Sequence, residues 1–270
     1  MKILEDLRKL KIADIDGWIG DANFGFEQLS NYFNHNKKLD ILEIGCGIGI
    51  LMAIFQKNFD NLSLEGIEPY KGGFERLKSS RKILPKKINI IHSKFEDFKP
   101  KKKYDIIYSV NVFEHLRNWR QYLQKTESWL KPNGKNIILC PNYSFPYESH
   151  FKIPIIVNKH ITHRVFKKRI ESFERENNSL GLWKSLNFIK MREIEKYCIE
   201  ENLNFNYCDE VFTDIINRLD QDSEFKKRQN FVGQTAKIFH YLGFLKLLRK
   251  KYFHKYHPYM KIEITNSQSN

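Results

Sequence analysis

The sequence predicts an α/β protein with a doubly wound sheet, and three observations carry that prediction. Residues 39–50 pass from a short apolar strand (Leu39, Ile41, Leu42, Ile44) through Gly45, Gly47 and Gly49. Beyond them Ile50, Leu51, Ala53, Ile54 and Phe55 resume at helical spacing. Further apolar runs recur at 62–67, 88–91, 104–110 and 135–140, separated by segments long enough for crossover helices. Acidic residues also sit at strand ends: Glu43 inside the first, Glu68 closing the second.

A strand, a glycine turn and a helix in succession let backbone approach a ligand at a helix N-terminus. A dinucleotide fold asks for G-x-G-x-x-G. Here the pattern is E-x-G-x-G-x-G, with an acid at the strand end. A carboxylate there suits a ligand carrying an ammonium better than a pyrophosphate, which disfavours a nicotinamide oxidoreductase.

With 270 residues, 41% of them hydrophobic and 14% aromatic, the chain has length for one α/β domain with insertions. No apolar run reaches the roughly 18 residues of a membrane span. The first residues carry Glu5 and Asp6 early and lack an apolar signal core, so export is not expected. Cys46, Cys140, Cys198 and Cys208 show no C-x-x-C pairing and read as reduced, buried thiols of a cytoplasmic protein. The net charge of +14 fits nucleic acid, an anionic membrane or an acidic substrate, and equally a lysine-rich surface.

In order, residues 1–38 predict N-terminal helices: Ile3, Leu4, Leu7 and Leu10 on one, then Trp18, Phe24, Phe26, Leu29, Tyr32 and Phe33 on a second. Residues 39–143 form the core, with a helix at 74–84, a solvated lysine turn at 99–103 and a helix ending near Leu130. Pro132 and Gly134 then mark a turn before the strand at 135–140. Residues 144–186 are a first insertion. The core resumes over 187–208, with a helix at 187–202 and a strand at 205–208. Residues 209–257 are a helical insertion, and the alternation at 259–264 predicts a last, antiparallel strand within 258–265.

Residues 39–143 resemble, in order and spacing, the motifs of the class I S-adenosylmethionine (SAM)-dependent methyltransferases. The resemblance implies a Rossmann-like seven-stranded sheet, both insertions on the substrate side, and SAM as cofactor. It implies that Glu43, Gly45, Cys46 and Gly47 hold the cofactor's methionine part. Glu68, followed by Pro69, would accept from the ribose diol, as a strand-end acid about twenty residues past the glycines can. The 92–98 loop would lie against the adenine. Lys94 stands where relatives often have an aspartate, so backbone near Phe95 would serve, and Asn111 would face the cofactor after the fourth strand.

The sulfonium supplies the electrophile, so the protein chiefly aligns a nucleophile. An oxygen nucleophile also asks for a base near neutral pKa. His115, after the fourth strand, and His150, in a segment resembling the lid of glycan- and quinone-type methyltransferases, are the candidates. Some relatives hold a divalent ion through E-x-x-E-H, but here Asn111 replaces the first acid ahead of Glu114 and His115, so no metal is expected. Pro141-Asn142-Tyr143 follows the fifth strand and does not match the N-P-P-Y tetrad of amino-group nucleic-acid enzymes.

The expected activity is methyl transfer to an oxygen, hydroxyl or carboxyl, of a small-molecule or glycan acceptor. An RNA methyltransferase is favoured only by charge, without a recognisable RNA module. A SAM-binding assembly protein is the rival from outside enzymology. The basic apolar stretch at 238–253 reads as a helix covering the cleft, or else as a surface helix on anionic lipid.

Overall fold

In the computed structural model of the protein, residues 5, 8, 15–33, 36–70, 88–227, 229, 248 and 250–266 are described. Helix α1 (Ile15–Leu29) precedes β1 (Leu39–Ile44), α2 (Ile50–Asn58), β2 (Leu62–Ile67), β3 (Asn89–Ile91) and β4 (Tyr104–Val110). A 3-10 turn (Phe113–His115) then leads to α3 (Trp119–Trp129), β5 (Leu130–Pro141) and the short strands β6 (Tyr147–Glu148) and β7 (Ile153–Pro154). Helices α4 (Lys159–Glu176), α5 (Leu182–Ser185) and α6 (Met191–Glu200) follow, then β8 (Leu203–Tyr207), α7 (Glu210–Gln221) and β9 (Tyr259–Asn266).

The seven-stranded sheet has the order β3-β2-β1-β4-β5-β9-β8. Strands β1 to β5 pair in parallel, and β9 runs antiparallel between β5 and β8. The chain reverses direction of growth beside β1, between β2 and β4, and such a switch point opens a crevice at the strand C-termini.

Two apolar layers flank the sheet. On one face Phe33, Phe55 and Phe59 pack edge to face, with Phe33 and Phe55 ring centroids 4.6 Å apart. On the other, α3 turns Trp119, Tyr122, Leu123 and Trp129 inward. Two of the buried polar groups there are tied to neighbours: the Tyr122 hydroxyl donates to Ser109 and Asn136 donates to Thr126. The four cysteines are buried and unbridged.

Several elements differ from the sequence reading. Strand β5 begins at Leu130, ahead of the expected 135, because the turn is absorbed into the ladder. Leu130 pairs Tyr104 and Lys135 pairs Ile106, so the extra residues bulge, with Asn133 at φ +62°. Helix α6 starts at Met191, since the Asn187 side chain is committed to the Phe113 and Leu116 carbonyls. Strand β8 starts two residues earlier than expected. The lysine turn is more than solvated: Lys102 donates to Asp40 and Ser63, and Lys131 bridges Asp40 and Asp105. The expected helix at 3–10 apart from residues 5 and 8, the helix at 74–84 and most of the basic stretch at 238–253 lie outside the described residues.

Residues 144–186 gather around their own apolar cluster of Phe151, Ile153, Ile170, Trp183 and Leu186, joined by Tyr143. Among the described residues, no helix is long and apolar enough to cross a membrane.

Candidate active site

The C-terminal ends of β1, β2 and β4 bring the glycine turn, Glu68 and the 111–115 turn to one end of the sheet. Gly45 takes φ +74°, and its amide donates to the Ile67 carbonyl at 2.8 Å, tying the turn to β2. A Cβ at Gly45 would stand 2.4 Å from Val112 Cγ2, so only glycine lets the 111–115 turn approach. Gly47 also has positive φ, +53°, but a Cβ there would meet nothing within 4 Å. The turn is therefore closed on the Gly45 side and open above Gly47. Cys46 is buried, its thiol directed to the Gly47 carbonyl.

Glu68 accepts from the amides of Gly47 (2.9 Å) and Tyr70 (3.0 Å), so its carboxylate bridges the ends of β1 and β2. Burial raises its pKa, opposed by those two amides and by His92. The Pro69 carbonyl bonds His92 Nε2 at 2.8 Å. Glu43 is buried and accepts from the Tyr108 hydroxyl at 3.0 Å. Burial pushes its carboxyl up to about 8; Tyr108 opposes the shift and the neighbouring Glu68 charge adds to it. Phe95 is a core side chain, edge-on to Tyr122 at 5.7 Å, so its ring lines no cleft. Asn111 sits at φ +54° and its Oδ1 accepts from the Tyr259 hydroxyl at 2.8 Å.

The 3-10 turn after β4 and the loop after β6 bring His115 and His150 together, ring centroids 5.5 Å apart. Their environments diverge. His150 Nδ1 lies 2.6 Å from Glu148, a fully buried carboxylate that also accepts from the Phe151 and His150 amides and the Tyr143 hydroxyl. Burial alone would lower His150, but Glu148 lifts it to about 9, so the ring is cationic at neutral pH. A ring so held favours its protonated form, which leaves His115 as the neutral imidazole of the pair. His115 is held down at about 3 by burial, the His150 cation and Lys159. Its Nδ1 is 2.9 Å from Ser185 Oγ, whose own proton goes to the Leu182 carbonyl at 2.7 Å. Ser185 must therefore accept, which puts the proton on Nδ1 and leaves a lone pair on Nε2.

Glu114 completes the group. It is fully buried, and burial pushes its carboxyl up to about 7 against the pull of His150. Its Oε1 stands 3.9 Å from His115 Nε2. One ligand-capable atom from each of Glu114, His115 and His150 lies within 4.8 Å of the others. Glu114 was legible in the sequence beside His115. Glu148 and Ser185 were not, because their importance comes only from which ring nitrogen each one meets. Asp21 on α1, held by Arg218 at 2.8 Å, adds negative charge near the same group and carried no sequence signal.

A methyltransferase-domain family model matches residues 24–184. An uncharacterized protein of Mycobacterium tuberculosis (strain H37Rv) is 30% identical over 194 residues, 70% of this chain and 66% of that one. The ubiquinone biosynthesis O-methyltransferase of Rickettsia canadensis is 27% identical over 151 residues, 51% of this chain and 63% of that one. The chain thus spans somewhat less than two thirds of the length of these relatives. Among solved structures, the plantazolicin methyltransferase BpumL with S-adenosylhomocysteine (SAH) superposes with a TM-score of 0.51 at 16% identity, over 98% of this chain and 90% of that one. Phosphoethanolamine N-methyltransferase 2 of Haemonchus contortus with SAM gives 0.52 at 16% identity, over 97% and 60%.

Together with the sheet order, these likenesses define a class I, Rossmann-like methyltransferase fold. The chain belongs to the SAM-dependent methyltransferase family.

Proposed function

We propose that the protein transfers the methyl group of SAM to an oxygen of a small-molecule or glycan acceptor. The observation that carries this reading is His115: a histidine with a lone pair on Nε2, on the turn after β4, beside a glycine turn that is open above Gly47. Bound SAM would supply an electrophilic methyl on its sulfonium: an acceptor oxygen would form the O–C bond as the S–C bond broke, with SAH as the leaving group. Burial and the His150 charge hold His115 low in the empty protein, so its Nε2 takes the hydroxyl proton only as the oxygen attacks, with Glu114 at 3.9 Å countering the imidazolium. The Rickettsia relatives, named as O-methyltransferases, support an oxygen acceptor. The cluster of 144–186 would cover the acceptor and exclude water.

On the cofactor side, Glu68 would exchange its bond from Gly47 for the ribose diol, and Glu43 would face the ammonium. This gives a pH dependence of known sign. An acid raised to about 8 keeps its proton in the empty protein below that pH, and a cationic ligand must displace it. SAM affinity should therefore rise from pH 5.5 to 7, by at most about tenfold per unit, below the range where an α-amino group loses its own proton. Calorimetry should show a shallower slope in Glu43→Gln. An unchanged slope would remove Glu43 from the site.

The activity itself is tested with methyl-labelled SAM and a panel of sugars, phenols, carboxylates and amines. Label in an ether or ester, with one equivalent of SAH formed, is expected. Label only on amine nitrogen would overturn the oxygen assignment.

A further inference from the structure

Glu114 is the least satisfied charged side chain of the site. It has no solvent exposure, and neither carboxylate oxygen has a hydrogen-bond partner. A buried carboxylate left so is costly unless a ligand completes it. Two imidazoles flank it, with one donor atom of each residue inside 4.8 Å of the others. Both rings are oriented from behind: Nδ1 of His150 meets Glu148, and Nδ1 of His115 meets Ser185. Backing of Nδ1 by a carboxylate or hydroxyl is how metal-ligating histidines are held, and it leaves Nε2 to coordinate. Asn111 contributes nothing to this set, because its Oδ1 is engaged by Tyr259.

We propose that Glu114, His115 and His150 together bind one divalent transition-metal cation. Two imidazole nitrogens and one carboxylate form a borderline N/O set that suits zinc, manganese, iron or cobalt better than magnesium, which favours oxygen ligands and keeps its waters. Because His115 follows β4 and His150 lies between β6 and β7, the ion ties the 144–186 segment to the sheet. Three protein ligands leave coordination positions free for an oxygen, and a hydroxyl placed there loses its proton more readily, to solvent. His115 Nε2 is a ligand in the ion-loaded protein and acts as the base only in the ion-free one. This part of the proposal rests on the oxygen-methylation reading above; the ion site itself does not.

The test uses tag-free, chelator-stripped full-length protein titrated by calorimetry with zinc, cobalt, manganese and magnesium chlorides in turn. The expected result is one equivalent of zinc or cobalt per chain, at least a hundredfold tighter than magnesium, with affinity reduced a hundredfold or more in Glu114→Gln and in His150→Ala. SAH titrated into the same samples reports whether each variant is folded and keeps its cofactor site. Spin-echo modulation of the manganese-loaded wild type reports coordinated imidazole nitrogen without any substitution. Absence of stoichiometric binding, zinc or cobalt affinity unchanged in both SAH-competent variants, or no imidazole modulation would overturn the site. Loss of SAH binding in the wild type would instead strike the methyl-transfer reading and leave the ion site standing.

Discussion

Replacing His115 by alanine is expected to lower kcat by two to four orders of magnitude and to leave SAH affinity unchanged, since general-base assistance contributes about 10²–10⁴-fold. The split follows from where the ring stands. His115 lies on the turn after β4, bonded to Ser185 and facing Glu114, and makes no bond to the glycine turn or to Glu68. Whether it takes the proton directly or helps hold a cation that acidifies the hydroxyl, its loss strikes the chemical step. Equal losses of kcat and SAH affinity would mean that the ring organises the cofactor cleft. Steady-state kinetics beside an SAH titration separates the outcomes.

Gly45→Ala is expected to lower stability by about 2–5 kcal/mol, the sum of the left-handed backbone penalty and overpacking. The new methyl would lie 2.4 Å from Val112 Cγ2 and 2.8 Å from Cγ1. Valine is β-branched and stiff, so the clash passes to the turn that carries Glu114 and His115. At roughly 2–4 °C per kcal/mol for a chain of this size the melting temperature should fall by about 10 °C. Gly47→Ala is the matched control. Its backbone is strained in the same sense but its Cβ meets open space, so the fold should survive at a cost of about 1–2 kcal/mol. That methyl would nevertheless occupy the opening above the turn, and SAH affinity should fall steeply. Equal melting temperatures for the two variants would contradict this account of the turn.

Much of the sheet was legible because its strands are short apolar runs with the polar break at the end that matters. The glycine spacing set the cofactor class before any contact was visible, and the alternation at 259–264 placed the antiparallel strand. What stayed hidden is non-local. The turn at 131–134 reads as a stop from its proline and glycine, yet β4 holds it in the ladder through a bulge. Lys102 belongs to a solvated-looking run, and its role comes from Asp40, 62 residues away in sequence. The two histidines were visible as residue types. Their opposite protonation was not, because it depends on Glu148 behind one ring and on a spent serine proton behind the other.

The most direct test of the central claim is an equilibrium titration of the protein with SAH, run beside NADH and repeated on Glu68→Gln. The expected result is saturable one-to-one SAH binding, none for NADH, and a loss of about a hundredfold in Glu68→Gln with the melting temperature kept. That loss is the size expected when a charged acceptor to two hydroxyls is neutralised. No SAH or SAM binding by the wild type, or full affinity in Glu68→Gln, would contradict the cofactor site described here.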